Sequence, residues 1–343
     1  MSGGVDSSVT ACLLKELGCE VEGVSLILFD AHSRKALGKS PCCSSRSADD
    51  AAKTAGVIGI KHRQLDVRDL FTEKVIRPFI EAYARGLTPN PCILCNRFVK
   101  FPSLIKAADE RGSAFIATGH YARARHEGNG GQLLRGIDPA KDQSYVLHGL
   151  SRQTIGRLLL PLGEKRKAEV RELALKFSLP SANRPESQEI CFIEERNYVE
   201  YIEGFADGAG GPVIEIETGK TVGSHGGIHL YTIGQRKRLP PMGKPVYVVK
   251  IEPQSNSVFI GPREMALMKT FAVQDTNWLA DPSGPNLRAT VRMRSMMRDE
   301  PASLRIIGDR VQVEYDKPQW APSPGQSAVF YDGDIVLGGG VIA

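Results

Sequence analysis

Residues 2–8 read Ser2-Gly3-Gly4-Val5-Asp6-Ser7-Ser8, and a helical pattern follows at once through Val9, Leu13 and Leu17 to a stop at Gly18. This is a loop built to hold phosphate. Gly3 and Gly4 allow positive φ and close backbone approach, while the amides opening the helix and the hydroxyls of Ser2, Ser7 and Ser8 point at an anion. The Walker spacing is absent and no lysine lies in the loop, so amides and hydroxyls replace an ammonium; Asp6 is placed to orient a magnesium ion. Such a loop normally leaves the carboxyl end of a buried parallel strand, yet Met1 directly precedes it. The expectation is a start at an internal methionine, with a strand of about five to seven apolar residues upstream.

Outward from the loop, the first half alternates short apolar runs with helical patterns. Residues 21–29, 58–67 and 115–118 read as strands, and 46–55, 70–83 and 165–177 as helices. This alternation predicts an α/β architecture, a doubly wound parallel sheet. Beyond Asn197 the texture changes to glycine, proline and short alternating runs at 245–251, 257–260, 288–296, 310–315 and 328–331, which predicts small β domains. Joints fall at 208–212 and 253–262. The expected division is 1–197, 198–262 and 263–343.

The bulk numbers agree with several domains. At 343 residues the chain exceeds one ordinary core, and 41% hydrophobic with 24% charged residues describes a globular protein. Neither an apolar run of about 18 residues nor a signal segment after Met1 is present, so the reading is cytoplasmic with no membrane partner. The +5 balance of 44 Lys+Arg over 39 Asp+Glu permits a nucleic-acid partner met by local patches without demanding one. All seven cysteines lie at or before Cys191, an odd and uneven set that argues for reactive or metal-binding thiols over a disulfide framework.

Two of those thiols sit in TPNPCILCNRFVKF at 88–101. Pro89 and Pro91 stiffen a loop ahead of a helix whose N-terminal amides would favour a thiolate at Cys92 or Cys95. The C-x-x-C spacing also suits half of a metal site, although no second pair supplies the remaining ligands. Cys191, between Ile190 and Phe192, reads by itself as a buried small hydrophobe. In 288–298, Arg288, Arg292, Arg294 and Arg298 alternate with apolar residues, so strand geometry predicts a four-arginine ridge for phosphate oxygens.

Taken together, SGGVDSS at 2–8, TPNPCILCNRFVKF at 88–101, ATGHYAR at 117–123, DPAKDQSYVL at 138–147, SQEICFI at 187–193, YTIGQRKRL at 231–239 and PGQSAVFYDGDIVLGGG at 324–340 resemble the tRNA-specific 2-thiouridylases, in that family's order and over essentially the whole chain. The resemblance implies a PP-loop ATP pyrophosphatase domain, a small central domain and a C-terminal β-barrel that helps hold tRNA. It implies ATP with Mg2+ as cofactor and 2-thiolation of the wobble uridine, with sulfur arriving from a persulfide carrier protein or a cysteine desulfurase relay. Cys191 then corresponds to the persulfide carrier and Cys95 to the catalytic thiol, the two ending as a disulfide. Ser2, Gly3, Gly4, Val5, Asp6, Ser7, Ser8, Leu26 and Gly119 match nucleotide positions. Asn90, Pro91 and Cys92 match the target-base segment, and His120, Lys141, Asp142, Gln143, Arg292, Met293 and Gln326 match tRNA contacts.

The chain departs from the family's pattern at three positions. Cys92 stands where aspartate is common, so Cys92, Cys95 and Cys191 could instead hold an iron–sulfur cluster with one open iron. Glu186 stands for aspartate and Arg238 for glycine. Two other functions use parts of the same inventory: an amide-forming synthetase would share the loop without needing Cys95 and Cys191, and an RNA-binding metalloprotein would use cysteines and arginines without a nucleotide.

Overall fold

A computed structural model describes residues 1–29, 44–128, 130–184, 190–193 and 209–343. In chain order the helices are α1 (Val5–Glu16), α2 (Ser44–Ile58), α3 (Arg68–Phe71), α4 (Arg77–Ala84), α5 (Pro91–Leu94), α6 (Phe101–Asp109), α7 (Ser144–Leu147), α8 (Arg152–Gly156) and α9 (Lys167–Lys176). The strands of the first half are β1 (Glu22–Ile27), β2 (Lys61–Asp66), β3 (Ile116–Ala117), β4 (Ala122–Glu127), β5 (Gly130–Arg135) and β6 (Leu158–Leu159). Those of the second half are β7 (Gly211–Glu215), β8 (Thr221–His225), β9 (Tyr247–Glu252), β10 (Ser257–Gly261), β11 (Leu267–Trp278), β12 (Asn286–Arg292), β13 (Glu300–Ile307), β14 (Arg310–Trp320), β15 (Ser327–Asp332) and β16 (Ile335–Ile342). They group into two units. Met1–Val75, Cys92–Gln188 and Asp334–Val336 form one; Ile76–Pro91, Glu189–Gly333 and Leu337–Ala343 form the other.

In the first unit β1 and β2 run parallel with Leu26 opposite Leu65, and β3 and β6 run parallel with Ile116 opposite Leu158. Apart from the hairpin β4–β5, the strands described in this unit are two parallel pairs, each joined through helical crossovers. Met1 lies along the other edge of β1, where its amine donates to the Val24 carbonyl and its own carbonyl accepts from Ser25 Oγ at 2.6 Å. α1 packs its Val5, Val9 and Cys12 face against Tyr121, Leu162, Val170 and Ala174, which ties it to α9. It stops where the sequence predicts: Gly18 takes φ +78°, and the Gly18 and Cys19 amides donate back to Lys15 O and Leu14 O. The antiparallel hairpin β4–β5 interrupts the α/β alternation.

The predicted helix over 70–83 divides. A wide-turned segment, Thr72–Ile76, separates α3 from α4, and Pro78 in the first turn of α4 is where a missing N–H is harmless. The predicted strand 58–67 begins only at Lys61, because Ile58 completes α2.

In the second unit a four-stranded sheet in the order β8-β7-β10-β9 covers a core of Val213, Leu230, Val248, Val258 and Ile260. Six antiparallel strands, β11-β14-β13-β12-β15-β16, then close when β16 returns to β11 with Ile342 opposite Val273. The closed barrel leaves no open edge. Its interior is filled by Phe271, Val291, Leu304, Val313, Tyr315 and Phe330. Arg238, where the family pattern has glycine, adopts φ +66°, a conformation glycine takes without strain, and its carbonyl accepts from Tyr231 OH at 3.1 Å. Among the described residues no helix is long and apolar enough to cross a membrane. The expected boundary at 197/198, the start of the joint at 208 and Glu186 lie outside the described residues.

Candidate nucleotide, sulfur and tRNA sites

The phosphate loop has the backbone its sequence requires. Gly3 takes φ +72°, Gly4 is the extended cap of α1, and Ser2 N–H donates to Ser7 Oγ at 3.1 Å, curling the loop over the helix end. Ser8 Oγ donates to Gly4 O at 2.8 Å and Ser7 Oγ to the same carbonyl at 3.3 Å, while the Ser2 and Ser7 hydroxyls stand 3.2 Å apart on the exposed side of the loop. Gly119 is here for a steric reason. A Cβ at that position would lie 2.8 Å from Asp6 C and 2.9 Å from Ser7 N, inside the first turn of α1. Leu26 is half-buried on β1 opposite Leu65.

Asp6 is not a bare carboxylate. Lys167 Nζ lies 2.6 and 2.8 Å from its two oxygens, and Tyr121 OH donates to Oδ1 at 2.8 Å. Arg184 closes the other side, donating to Gly3 O at 2.9 Å and pairing with Asp50. The sequence reading missed Lys167, Tyr121 and Arg184. Tyr121 lay inside a recognised motif; for the two cations, distant in sequence, no local signal existed.

Cys92 and Cys95 are carried not by a loop ahead of a helix but by helix itself: α5 runs into a wide-turned segment, Cys95–Lys100, that continues as α6. Cys92 is exposed and Cys95 buried. Burial pushes the Cys95 thiol up from its ordinary value, against the pull of Lys100, whose charge and backbone N–H both favour thiolate, and Cys92 adds a smaller upward push. The expectation of a favoured thiolate is thus corrected at Cys95, because desolvation outweighs Lys100. Lys100 also helps burial depress His120 well below the usual imidazole range. His120 is therefore neutral at pH 7, with Nδ1 2.8 Å from Thr118 Oγ1. Cys191 belongs to the second unit and is exposed, while Phe192 beside it is buried edge-on against Phe79 at 5.4 Å. The reading of Cys191 as a buried hydrophobe fails, since Phe192 takes the inward position.

The residues matched to tRNA contacts divide in the same way. Asp142 is buried and accepts from Gly136 N, Ser144 N and Ser144 Oγ at 3.0–3.1 Å, and Gln143 Oε1 accepts from Tyr121 N at 3.0 Å. Gln143 holds the DPAKDQS turn against the ATGHYAR turn while Asp142 braces the turn internally, with Lys141 half-buried beside them. In the second unit Gln326 Nε2 donates to Thr88 O at 3.1 Å, and Thr88 N donates to Pro324 O. The segment leading to half-buried Asn90 and buried Pro91 is thereby seated.

The predicted arginine ridge does not form. β12 ends at Arg292, which is itself buried, pairs with Asp299 at 3.4 Å and lies over the Tyr331 ring, while Met293 is in the barrel core. Arg288 is exposed and pairs with Asp316 on the surface, and Arg294 donates to Ile233 O, Ala321 O and Ser323 Oγ. Arg298 is exposed. Alternation broke because the chain turns after Arg292.

Family comparison decides the kinship. A tRNA methyl transferase HUP domain matches residues 1–195, the corresponding PRC-barrel domain 199–262, and an aminomethyltransferase β-barrel domain 268–342. A tRNA-specific 2-thiouridylase of Halothermothrix orenii is 44% identical, across all of this chain and 97% of its own. Those of Moorella thermoacetica and Rickettsia canadensis are each 43% identical, across all of this chain and 98% and 94% of theirs. The chain belongs to the tRNA-specific 2-thiouridylase family. In this family member the phosphate loop and Cys95 lie in the first unit and Cys191 in the second.

Proposed function

We propose that this protein catalyses ATP-dependent 2-thiolation of the wobble uridine of tRNA, in the reducing cytoplasm. Its similarity over full length to relatives named 2-thiouridylases supports the reaction. Methyl transfer fits less well, since it needs neither a phosphate loop nor paired thiols. The uridine C2 oxygen is a poor leaving group. Its attack on the ATP α-phosphorus expels pyrophosphate and leaves an O-adenylated uridine, from which AMP can depart. The loop of Ser2–Ser8 and α1, with Gly119 beneath it, is proposed to hold the triphosphate, and Leu26 to border the nucleotide. Magnesium would travel with the phosphates and shield their charge.

Cys191 is proposed to carry the outer sulfur as a persulfide received from a carrier protein or desulfurase relay. Attack of the Cys95 sulfur, its proton given up to solvent in the step, on the Cys191 sulfur forms a Cys95–Cys191 disulfide and expels hydrosulfide. Hydrosulfide adds at C2, AMP leaves with the bond electrons, and a dithiol reductant restores both thiols. One observation carries the sulfur route: Cys191 is exposed beside the buried anchor Phe192, which is what loading by a macromolecular donor requires. Asn90, Pro91 and Cys92 would border the target base. His120, Lys141, Asp142, Gln143, Arg292, Met293 and Gln326 would shape the tRNA surface, with Asp142, Gln143, Met293 and Gln326 acting through the turns and core they hold. The alternative reading, a cluster on Cys92, Cys95 and Cys191, would need all three thiols as ligands, whereas the persulfide route needs Cys95 and Cys191 alone.

The test is ATP-dependent formation of 2-thiouridine in tRNA with a labelled persulfide donor. Cys191→Ser is expected to take up no label, and Cys95→Ser to load label yet deliver none. Label retained on Cys191→Ser defeats the sulfur assignment, and activity that tracks iron content in all preparations defeats the cluster-free route.

A further inference from the structure

A loop without lysine must still meet a highly charged triphosphate, and amides with hydroxyls supply only partial charges. α9 brings a full one. Lys167, its first residue, reaches across 161 positions of sequence to Asp6. Its side chain is only 11% exposed, its ammonium lies 5.3 Å from the centre of the Tyr121 ring, and Tyr121 OH holds the same carboxylate. The aim is fixed at the base of the helix. Asp138 Oδ2 accepts from Lys167 N at 3.0 Å, and Glu169 Oε2 accepts from Arg166 N at 2.6 Å, so the first turn cannot swing. Asp6 sits in the first turn of α1, among the amides that would receive phosphate. Left bare, its carboxylate would repel that anion; paired with Lys167, it does not.

We propose that Lys167 is the pyrophosphate-gripping cation of this site, held on Asp6 while the loop is empty and passed to the outer phosphate oxygens when nucleotide binds. Asp6, kept in place by Tyr121, then faces the magnesium ion that accompanies the nucleotide. No covalent bond changes: one ion pair is exchanged for a lysine–phosphate pair and a carboxylate–magnesium pair. The inference rests on the ATP reading above and assigns the ammonium that the loop itself lacks.

Calorimetric binding of inorganic pyrophosphate to the full chain, in EDTA and in magnesium, tests it, with melting curves recorded on each variant. Lys167→Gln is expected to weaken binding at least tenfold in both media, and Lys167→Arg to keep most of it. Asp6→Asn removes the carboxylate that competes with phosphate for the lysine, so it is expected to bind magnesium-free pyrophosphate several-fold more tightly than the unaltered protein while losing the gain that magnesium brings. Should Lys167→Gln not fold, the Lys167→Arg and Asp6→Asn pair still decides. Unweakened binding by folded Lys167→Gln, or weaker magnesium-free binding by Asp6→Asn, makes the pair a structural tie and overturns the proposal alone. Failure of the unaltered protein to bind either pyrophosphate or ATP overturns the nucleotide reading along with it.

Discussion

Gly119→Ala isolates one steric demand of the nucleotide loop. The added Cβ would meet Asp6 C at 2.8 Å, Ser7 N at 2.9 Å and Asp6 Cβ at 3.0 Å. Two of these are backbone atoms of the helix turn that is proposed to receive phosphate, so no side chain can rotate away and either α1 or the Thr118–His120 turn has to move. Overpacking of this kind costs about 1–3 kcal/mol. If the displacement is taken up by the loop, the same energy appears as about a 5- to 150-fold loss of ATP affinity, at about 1.4 kcal/mol per tenfold. Calorimetry with a non-hydrolysable ATP analogue reads the affinity, and thermal unfolding reads the stability. Gly56→Ala is the control, because a Cβ there meets nothing within 4 Å on an exposed turn of α2, and it is expected to leave affinity unchanged and raise stability slightly. Analogue binding and melting by Gly119→Ala equal to those of the unaltered protein would refute the steric argument.

Three other outcomes follow from side-chain placement. Burial pushes His148 down to about 4, so the unfolded chain binds its proton first and the folded state loses about 3 kcal/mol as pH falls from about 6.5 to 4; His148→Gln should flatten that acid limb in pH-dependent denaturant melts, and an unchanged slope would contradict it. Arg294→Ala removes the donor shared by Ile233 O, Ala321 O and Ser323 Oγ and should destabilise the second unit by about 1–3 kcal/mol, whereas exposed Arg298→Ala should keep the melting point and lower the salt slope of tRNA binding by about 1. Gln326→Ala should free Thr88 O and raise protease cleavage within 85–90 while leaving ATP binding intact; equal cleavage would remove Gln326 from the seating of that segment.

The sequence by itself determined what depends on neighbours along the chain. Gly3 at positive φ, α1 stopping at Gly18, the α/β alternation giving way to strands, and the family motifs were all legible, because turn chemistry and hydrophobic period are short-range properties. The tertiary structure decided what depends on which surfaces are covered. Whether Arg292 and Arg294 face solvent or acceptors of the fold turned on Asp299 and Ser323, residues no strand period can see. Cys191 is exposed because Phe192 takes the buried place against Phe79, and Cys95 is buried although its motif suggested presentation. The cation missing from the phosphate loop lies on α9, beside Asp6 only after α1 and α9 have packed through Val9, Val170 and Ala174. Opposite charges far apart in sequence have no mutual field in the extended chain, screened beyond about 10 Å by salt; burial of the faces between them is what brings them within 3 Å.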